Sequence, residues 1–407
     1  VSVDGFGDFA STAWGAGRGG RINADARIFF PHSLGIFYQA LTQYLGFPHY
    51  GDEYKVMGLA PYGEPIWLDH MRRIVRLEPK GRFSLDLRYF RHHRERIAYS
   101  WDGGSPEFSD LFTAELERLL GRRRNPEQPL TQFHRDIARS AQAMYEEAFY
   151  HLLNHLHAEY CIDDLTLAGG CAMNSVANGK VFRETPFRRL YVQAAAGDAG
   201  GAIGAALTLW HRLKPDTPRF PMEHAYWGPS FDDDAIVNVL YGHTKQLGEE
   251  NCTVEAVAQE DELLSRTADV IEGGGVVGWF QGRMEWGSRA LGNRSILCDP
   301  RRSDMKEILN LKIKRRESFR PFAPSILRET VPDWFDEDGD VPFMMQVHQI
   351  REDKRELIPA VAHVDGSGRL QTVTERTNPR YYRLIRTFAD RTGVPMLLNT
   401  SFNENEP

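Results

Sequence analysis

The chain has 407 residues, 42% hydrophobic and 26% charged, with 36 Gly and 22 Pro. That composition belongs to a folded globular chain rather than a disordered or collagen-like one, and no apolar run reaches the roughly 18 residues of a membrane span. Four cysteines (Cys161, Cys171, Cys252, Cys298) lack metal-knuckle or framework spacing, which argues against disulfides and fits a reducing, cytoplasmic setting; the net charge of −7 gives no reason to expect a nucleic-acid partner.

The length suits two or three domains. Residues 1–30 read as a strand entering a glycine-rich turn, Val3-Asp4-Gly5-Phe6-Gly7-Asp8. Residues 32–47 have helical apolar spacing and a glycine stop, and a Gly/Pro-bounded element follows at Gly51–Gly63. Residues 66–130 mix short elements with a basic loop. Over 132–158, Phe133, Ile137, Ala141, Met144, Ala148 and Leu152 recur at helical spacing and predict the clearest helix. Between 165 and 210, strand, glycine turn and helix occur twice, at Leu165–Asn174 and at Leu190–Leu207. Prolines and an acidic run mark 213–255 as a linker candidate. A second block then starts near 260 with a helix over Leu263–Ile271 and a strand over Val276–Phe280. The β-like start at Val1 and the motif cut short at Pro407 are expected of a segment of a longer protein.

Charge is unevenly placed. From Arg283 to Arg320 there are eleven Lys/Arg against five Asp/Glu, a local balance of +6 that leaves −13 for the remainder. Either this is a solvated basic face, or it serves a specific anionic ligand, for which arginine's planar fork is suited. Interleaving with glycine and tryptophan, as in Gly282-Arg-Met-Glu-Trp-Gly-Ser-Arg289-Ala-Leu-Gly-Asn-Arg294, favours a shaped pocket over a low-complexity tail. Three glycine turns (Asp4–Gly7, Gly169–Gly170, Gly197–Gly201) could present backbone N–H groups to a nucleotide. Asp4 and Asp198, at strand ends in glycine settings, could ligate a divalent metal or only cap their turns. His151 and His155 share a helix face, but no carboxylate is fixed beside them, and a solvated helix end is the favoured reading.

Taken together and in order, these segments resemble the NodU/CmcH-type O-carbamoyltransferases. The resemblance rests on Val3–Asp8, Gly51-Asp-Glu-Tyr-Lys55-Val-Met-Gly-Leu-Ala-Pro-Tyr-Gly63, Leu167–Lys180, Ala195–Gly200, Gly282–Leu297, Phe319-Arg-Pro-Phe-Ala-Pro-Ser325, His363-Val-Asp-Gly366 and Asn399-Thr-Ser-Phe-Asn403. It implies an α/β chain: a ribonuclease-H/actin-like (ASKHA) nucleotide-binding domain over 1–220, a linker at 221–255, and a YrdC-like α/β domain over 256–407. The implied chemistry joins carbamoyl phosphate and ATP into carbamoyl adenylate, then moves the carbamoyl group to a hydroxyl of a small-molecule or glycolipid acceptor. Arg283, Arg289, Arg294 and Arg320 would neutralise phosphate or carbamoyl oxygens. Lys314, Arg316, Ser401 and Asn403 would match a Lys-x-Arg and Ser-x-Asn nucleotide set, although Lys312-Ile-Lys314 blurs that alignment. Gly169, Gly170, Asn174, Gly197 and Gly200 would cradle the adenylate, with Lys55 as a further pocket residue. Asp4 and Asp198 would hold a divalent metal, Fe2+ in the first instance, whose histidine ligands would precede Val1; ATP would come with Mg2+. Ser288 stands where the pattern has proline. A tRNA threonylcarbamoyl-type enzyme is the alternative, disfavoured by the anionic body. A sugar kinase would leave the 283–320 arginines unexplained, and a degenerate non-catalytic module would not keep Asp4, Asp198 and those arginines.

Overall fold

The computed structural model describes residues 1–19, 21–101 and 105–403. Its first half is built on strands Ser2–Gly7, Ala10–Trp14 and Ala26–Phe29, paired antiparallel in that order. The segment Asp4–Gly7, expected as a turn, is instead strand with a register irregularity between Val3 and Gly7. The chain reverses one step later, at Asp8 and Phe9, which adopt φ of 51° and 60°. Glycine here permits a bulged strand rather than a loop. On the other edge of Ser2–Gly7, Val3 N–H donates to the Ala168 carbonyl at 2.9 Å, and Ala168 N–H returns to Val1 at 2.9 Å. These bonds carry the sheet on to the parallel pair Asp164–Leu167 and Arg189–Val192. The predicted long helix runs Gln132–Tyr160, opened by a Thr131/His134 capping box, and its stripe Ile137, Ala141, Met144, Ala148 and Leu152 is buried in the first core. Helix Leu34–Tyr44, capped by Ser33, lies in the same core.

The second half is a six-stranded mixed sheet in the order Val277–Phe280, Arg294–Cys298, Met396–Ser401, Ala323–Leu327, Ser367–Val373, Gln346–Gln349. Only the Ala323–Leu327/Ser367–Val373 pair is parallel. Helices Glu260–Glu272 and Pro379–Thr392 pack on it and on each other, closing a second core around Leu297, Ile326, Leu384, Phe388 and Leu398. Between the halves, the segment expected as a linker carries helices Asp233–Gly242 and Thr244–Glu249, neither with a buried residue.

The two cores meet at a seam. Phe343, Met344 and Met345, from the second half of the sequence, are buried in the first core. Helix Ser175–Gly179 lies on strand Gln346–Gln349, where Asn178 donates to the Met345 carbonyl at 3.0 Å. Among the described residues, no helix is long and apolar enough to cross a membrane.

Leu398 is fully buried in the strand Met396–Ser401, between two neighbours of the sheet. Leu398→Ala should cost about 2–5 kcal/mol, the usual range for a cavity left in a core. A urea titration of the purified protein checks this as a lowered midpoint with little change of slope.

Candidate active site

A partly open cavity of about 150 Å3 lies along the seam. The first half lines it with Tyr54, Met57 and Tyr62, and the second half with Arg289, Lys306, Arg316, Arg320, His363, Arg369, Asn399 and Ser401. Five cationic side chains against one lining carboxylate, Asp365, make this a candidate anion site. They come from several pieces of fold, with Arg316 and Arg320 sharing the segment 314–322 before strand Ala323–Leu327. Arg289 sits on a loop pinned by one carboxylate: Glu285 Oε1 accepts from the backbone N–H groups of Leu291, Asn293 and Arg294 at 2.8, 2.9 and 3.2 Å. Arg316 is aimed by the Asn310 side chain at 2.8 Å and by the Phe322 ring at 4.7 Å. Arg320, almost fully buried, lies 4.4 Å over the Tyr54 ring from the opposite half.

Of the predicted residues, Arg289, Arg316, Arg320 and Ser401 therefore meet in one cavity. Lys314 stands behind Ser401, 1% exposed, and donates to Ser401 O and Oγ at 2.6 and 3.1 Å and to Asn403 O and Oδ1 at 2.7 and 2.6 Å. Lys314, Ser401 and Asn403 thus form one cluster; the Lys312 side chain lies outside the described residues, as do Glu404–Pro407. Arg283 and Arg294 are not brought to the cavity. Arg283 donates to the Trp227 and Gly228 carbonyls at 2.9 Å. Arg294 donates to Gln281, Asn293 and Gly282 carbonyls and stacks 3.5 Å over Phe280. Both brace backbone.

Three contributors have no role assigned by the sequence reading: Lys306, His363 and Arg369. Lys306 donates to the Ala362 carbonyl, and burial lowers its pKa. His363 is pushed down to about 4 by burial first; the Asp365 charge opposes that fall, the Arg369 and Lys306 charges add to it, and a backbone hydrogen bond at Phe322 opposes it. The motif His363-Val-Asp-Gly366 was visible, but Arg369 reaches the cavity only through the pairing of Ser367–Val373 with Ala323–Leu327.

Lys55 works at the seam itself. Its ammonium lies 2.7 Å from Asp52 and 3.5 Å from Glu317, and Glu317 lies 3.5 Å from Arg320. Burial opposes the Glu317 charge, yet its own backbone N–H, Lys55 and Arg320 hold its carboxyl below the usual range. The chain Asp52–Lys55–Glu317–Arg320 ties the first half to a cavity arginine.

In the first half, Asp4, Asp198, Gly169, Gly197 and Gly200 line a separate broad groove. Asp4 Oδ1 accepts from Gly5 and Gly170 N–H at 2.8 and 3.1 Å. Burial raises the Asp4 pKa, those two bonds oppose the rise, and the Asp198 charge adds to it. Gly169 has φ of 90°, and a Cβ there would sit 2.2 Å from the Val3 carbonyl, so only glycine fits this crossing. Asn174 does not face the groove's glycines. It caps helix Ser175–Gly179 through Ala177 N–H at 3.0 Å and exchanges bonds with Gln142. His151 meets the Glu78 carbonyl and His155 meets Glu159, and among the described residues no three His, Cys, Asp or Glu gather to hold a metal. Asp4 and Asp198 fit part of a cation site: two neighbouring carboxylates whose mutual repulsion a cation would relieve.

Two joined α/β halves, with a cationic cavity at their seam and a carboxylate pair in one of them, give an arrangement suited to binding anionic ligands. Residues 1–207 match the family model of the carbamoyltransferase N-terminus and residues 268–407 that of the carbamoyltransferase C-terminus. An uncharacterized protein of Synechocystis sp. is 43% identical over 99% of this chain and 67% of its own length. Nodulation protein NolNO of Sinorhizobium fredii is 40% identical over 100% of this chain and 56% of its own length. The 3'-hydroxymethylcephem-O-carbamoyltransferase of Amycolatopsis lactamdurans is 30% identical over 88% of this chain and 60% of its own length. The chain belongs to the carbamoyltransferase family, and it spans between about half and two thirds of these relatives.

Beside Lys55, Glu53 is pushed up to about 7 by burial first and then by the Asp52 charge, against the N–H groups of Glu53 and Gly51. Its folded pKa lies above the ordinary 4.5, so its favourable contribution is complete below 4.5 and disappears as pH climbs to 7. Glu53→Gln should leave stability unchanged near pH 4.5 and raise it by about 1–3 kcal/mol above pH 7. Urea unfolding at a series of pH values checks the slope.

Proposed function

We propose that this chain is the working core of an ATP-dependent O-carbamoyltransferase. The observation that carries the reading is the cavity shared by both halves, with Arg289, Lys306, Arg316, Arg320 and Arg369 around 150 Å3. Carbamoyl phosphate and ATP are the polyanions such a cavity suits. In this reading carbamoyl phosphate, ATP and one water give carbamoyl adenylate, phosphate and pyrophosphate; the acceptor hydroxyl then takes the carbamoyl group and AMP leaves. Arg289, Arg316 and Arg320 hold phosphoryl oxygens by charge and position. The Lys314/Ser401/Asn403 cluster fixes the floor on which the nucleotide rests.

Two features of the fold support the domain assignment. The first half orders its strands third–second–first–fourth–fifth, three antiparallel and two parallel, as expected of an actin/sugar-kinase-type domain. The second half is one mixed sheet carrying the cationic cavity, in keeping with a YrdC-like domain. Transfer is assigned to the groove of Asp4 and Asp198, with the Gly169–Gly170 and Gly197–Gly200 turns beside it. A divalent metal, Fe2+ as first choice, would be held by Asp4 and Asp198 together with ligands from outside this chain, and would act as a Lewis acid on the carbamoyl oxygen or the acceptor hydroxyl. A relative named for O-carbamoylation of a hydroxymethylcephem supports a hydroxyl acceptor.

The complete protein should release AMP and pyrophosphate from ATP only when carbamoyl phosphate is present; ADP as the product would overturn the adenylate route. Arg320→Ala should reduce adenylate formation by about 100-fold or more, in line with losing a desolvated charge clamp. Asp198→Ala should leave adenylate formation intact and abolish acceptor carbamoylation. Anion-exchange analysis of the nucleotides, alongside mass spectrometry of the acceptor, separates the two losses.

A further inference from the structure

In a cavity walled by cations, one buried group has the opposite polarity. Asn399 is 1% exposed, lines the cavity, and its Oδ1 is buried with no hydrogen-bond partner among the described residues. The orientation of its amide is dictated by what surrounds the other end. Asn399 Nδ2 lies 3.0 Å from each of three acceptors: the Ala290 carbonyl, Gln371 Oε1 and Ser325 Oγ. A carbonyl oxygen can only accept, so the Ala290 contact alone requires nitrogen on that side. Gln371 is fixed in turn, since its Nε2 donates to the Leu291 carbonyl at 2.9 Å and leaves Oε1 toward Asn399. Ser325 spends its proton on Gln371 Oε1 at 2.5 Å. The acceptor Oδ1 is therefore held in place by a network in which every other member is bonded.

An unpaired buried acceptor is costly, about 1–3 kcal/mol, and a phosphoryl group cannot relieve it because phosphoryl oxygens are acceptors too. A ligand N–H can. Resting on the reading of this cavity as the carbamoyl phosphate site, we infer that Asn399 Oδ1 accepts a hydrogen bond from the carbamoyl NH2 group and thereby selects carbamoyl phosphate over acyl phosphates of the same shape. Acetyl phosphate carries CH3 where carbamoyl phosphate carries NH2. It would satisfy the arginines equally and leave Oδ1 unpaired. Sites built to hydrogen-bond a substrate group discriminate strongly against analogues that lack it. Asn399 sits two residues before Ser401 on one strand, so both project from the same face of the sheet toward the phosphate-binding cations. The arginines supply affinity for the anion, and Asn399 supplies the choice of acyl group.

The test is competition on the complete protein, with carbamoyl phosphate, acetyl phosphate and inorganic phosphate as probes. Wild type should bind carbamoyl phosphate at least about ten-fold tighter than acetyl phosphate. Equal binding of the two would overturn the role of Asn399 while leaving the cavity as an acyl phosphate site. Failure to bind either, or inorganic phosphate, would overturn the reading of the cavity itself. Asn399→Ala should raise KM for carbamoyl phosphate about ten-fold or more, leave the inhibition constant of inorganic phosphate unchanged, and erase the preference over acetyl phosphate. Ser325→Ala disturbs the same network without touching Oδ1 and should keep the preference. If Asn399→Ala weakens inorganic phosphate and carbamoyl phosphate alike, or if Ser325→Ala erases the preference as well, Asn399 is a brace and the inference fails. Should Asn399→Ala not fold, the wild-type comparison still decides.

Discussion

Five positive side chains cannot be packed around one small cavity unless something offsets their repulsion, and the architecture is organised around that constraint. The fold meets it with fixed partners: the carbonyl of Ala362 for Lys306, the Asn310 side chain for Arg316, and Glu317 and the Tyr54 face for Arg320. Its own backbone N–H, Lys55 from the other half and Arg320 together hold the Glu317 carboxyl below the usual range, against burial. The site is therefore not a property of either half. Its charge balance closes only where the halves touch, at Asp52–Lys55–Glu317–Arg320. Low local dielectric makes each of these pairings stronger than it would be on the surface, and the loss of any one more damaging.

The same logic separates two electrostatic environments within one chain. The seam concentrates cations, whereas the groove of the first half holds Asp4 and Asp198, and the Asp198 charge adds to the burial that raises the Asp4 pKa. One environment suits anions, the other a cation or a proton donor. The net charge of −7 conceals this division completely.

Periodicity and motif order in the sequence already revealed the helix Gln132–Tyr160 and the repeated strand–turn–helix around Gly169 and Gly197, and singled out Arg289, Arg320 and Ser401, which line the cavity. Local pattern carries such features because a helix stripe or a strand-end turn is written within about ten residues. It failed where a side chain's task is set by distant chain. Arg283 and Arg294 have the same glycine-rich setting as Arg289, yet they spend their donors on nearby carbonyls. Arg369 lies outside the basic stretch and reaches the cavity by strand pairing. The turn expected at Asp4–Gly7 was misplaced because glycines tolerate a bulged strand as readily as a loop. The Glu285 clamp on the Arg289 loop needs three backbone groups brought to one oxygen, and no spacing rule in the sequence announces it.

Phe343, Met344 and Met345 leave their own sheet to fill the first core, and the helix Ser175–Gly179 reciprocates by lying against Gln346–Gln349 with no room for even a methyl group at Gly179, where a Cβ would fall 1.9 Å from the Val347 carbonyl. Two halves interlocked in this way cannot diverge independently. A change of side-chain volume at Met345 has to be answered near Asn178, and a residue larger than glycine at 179 requires the facing strand to shift. Across relatives, positions 178–179 and 343–347 should therefore change in concert, although more than 160 residues separate them along the chain.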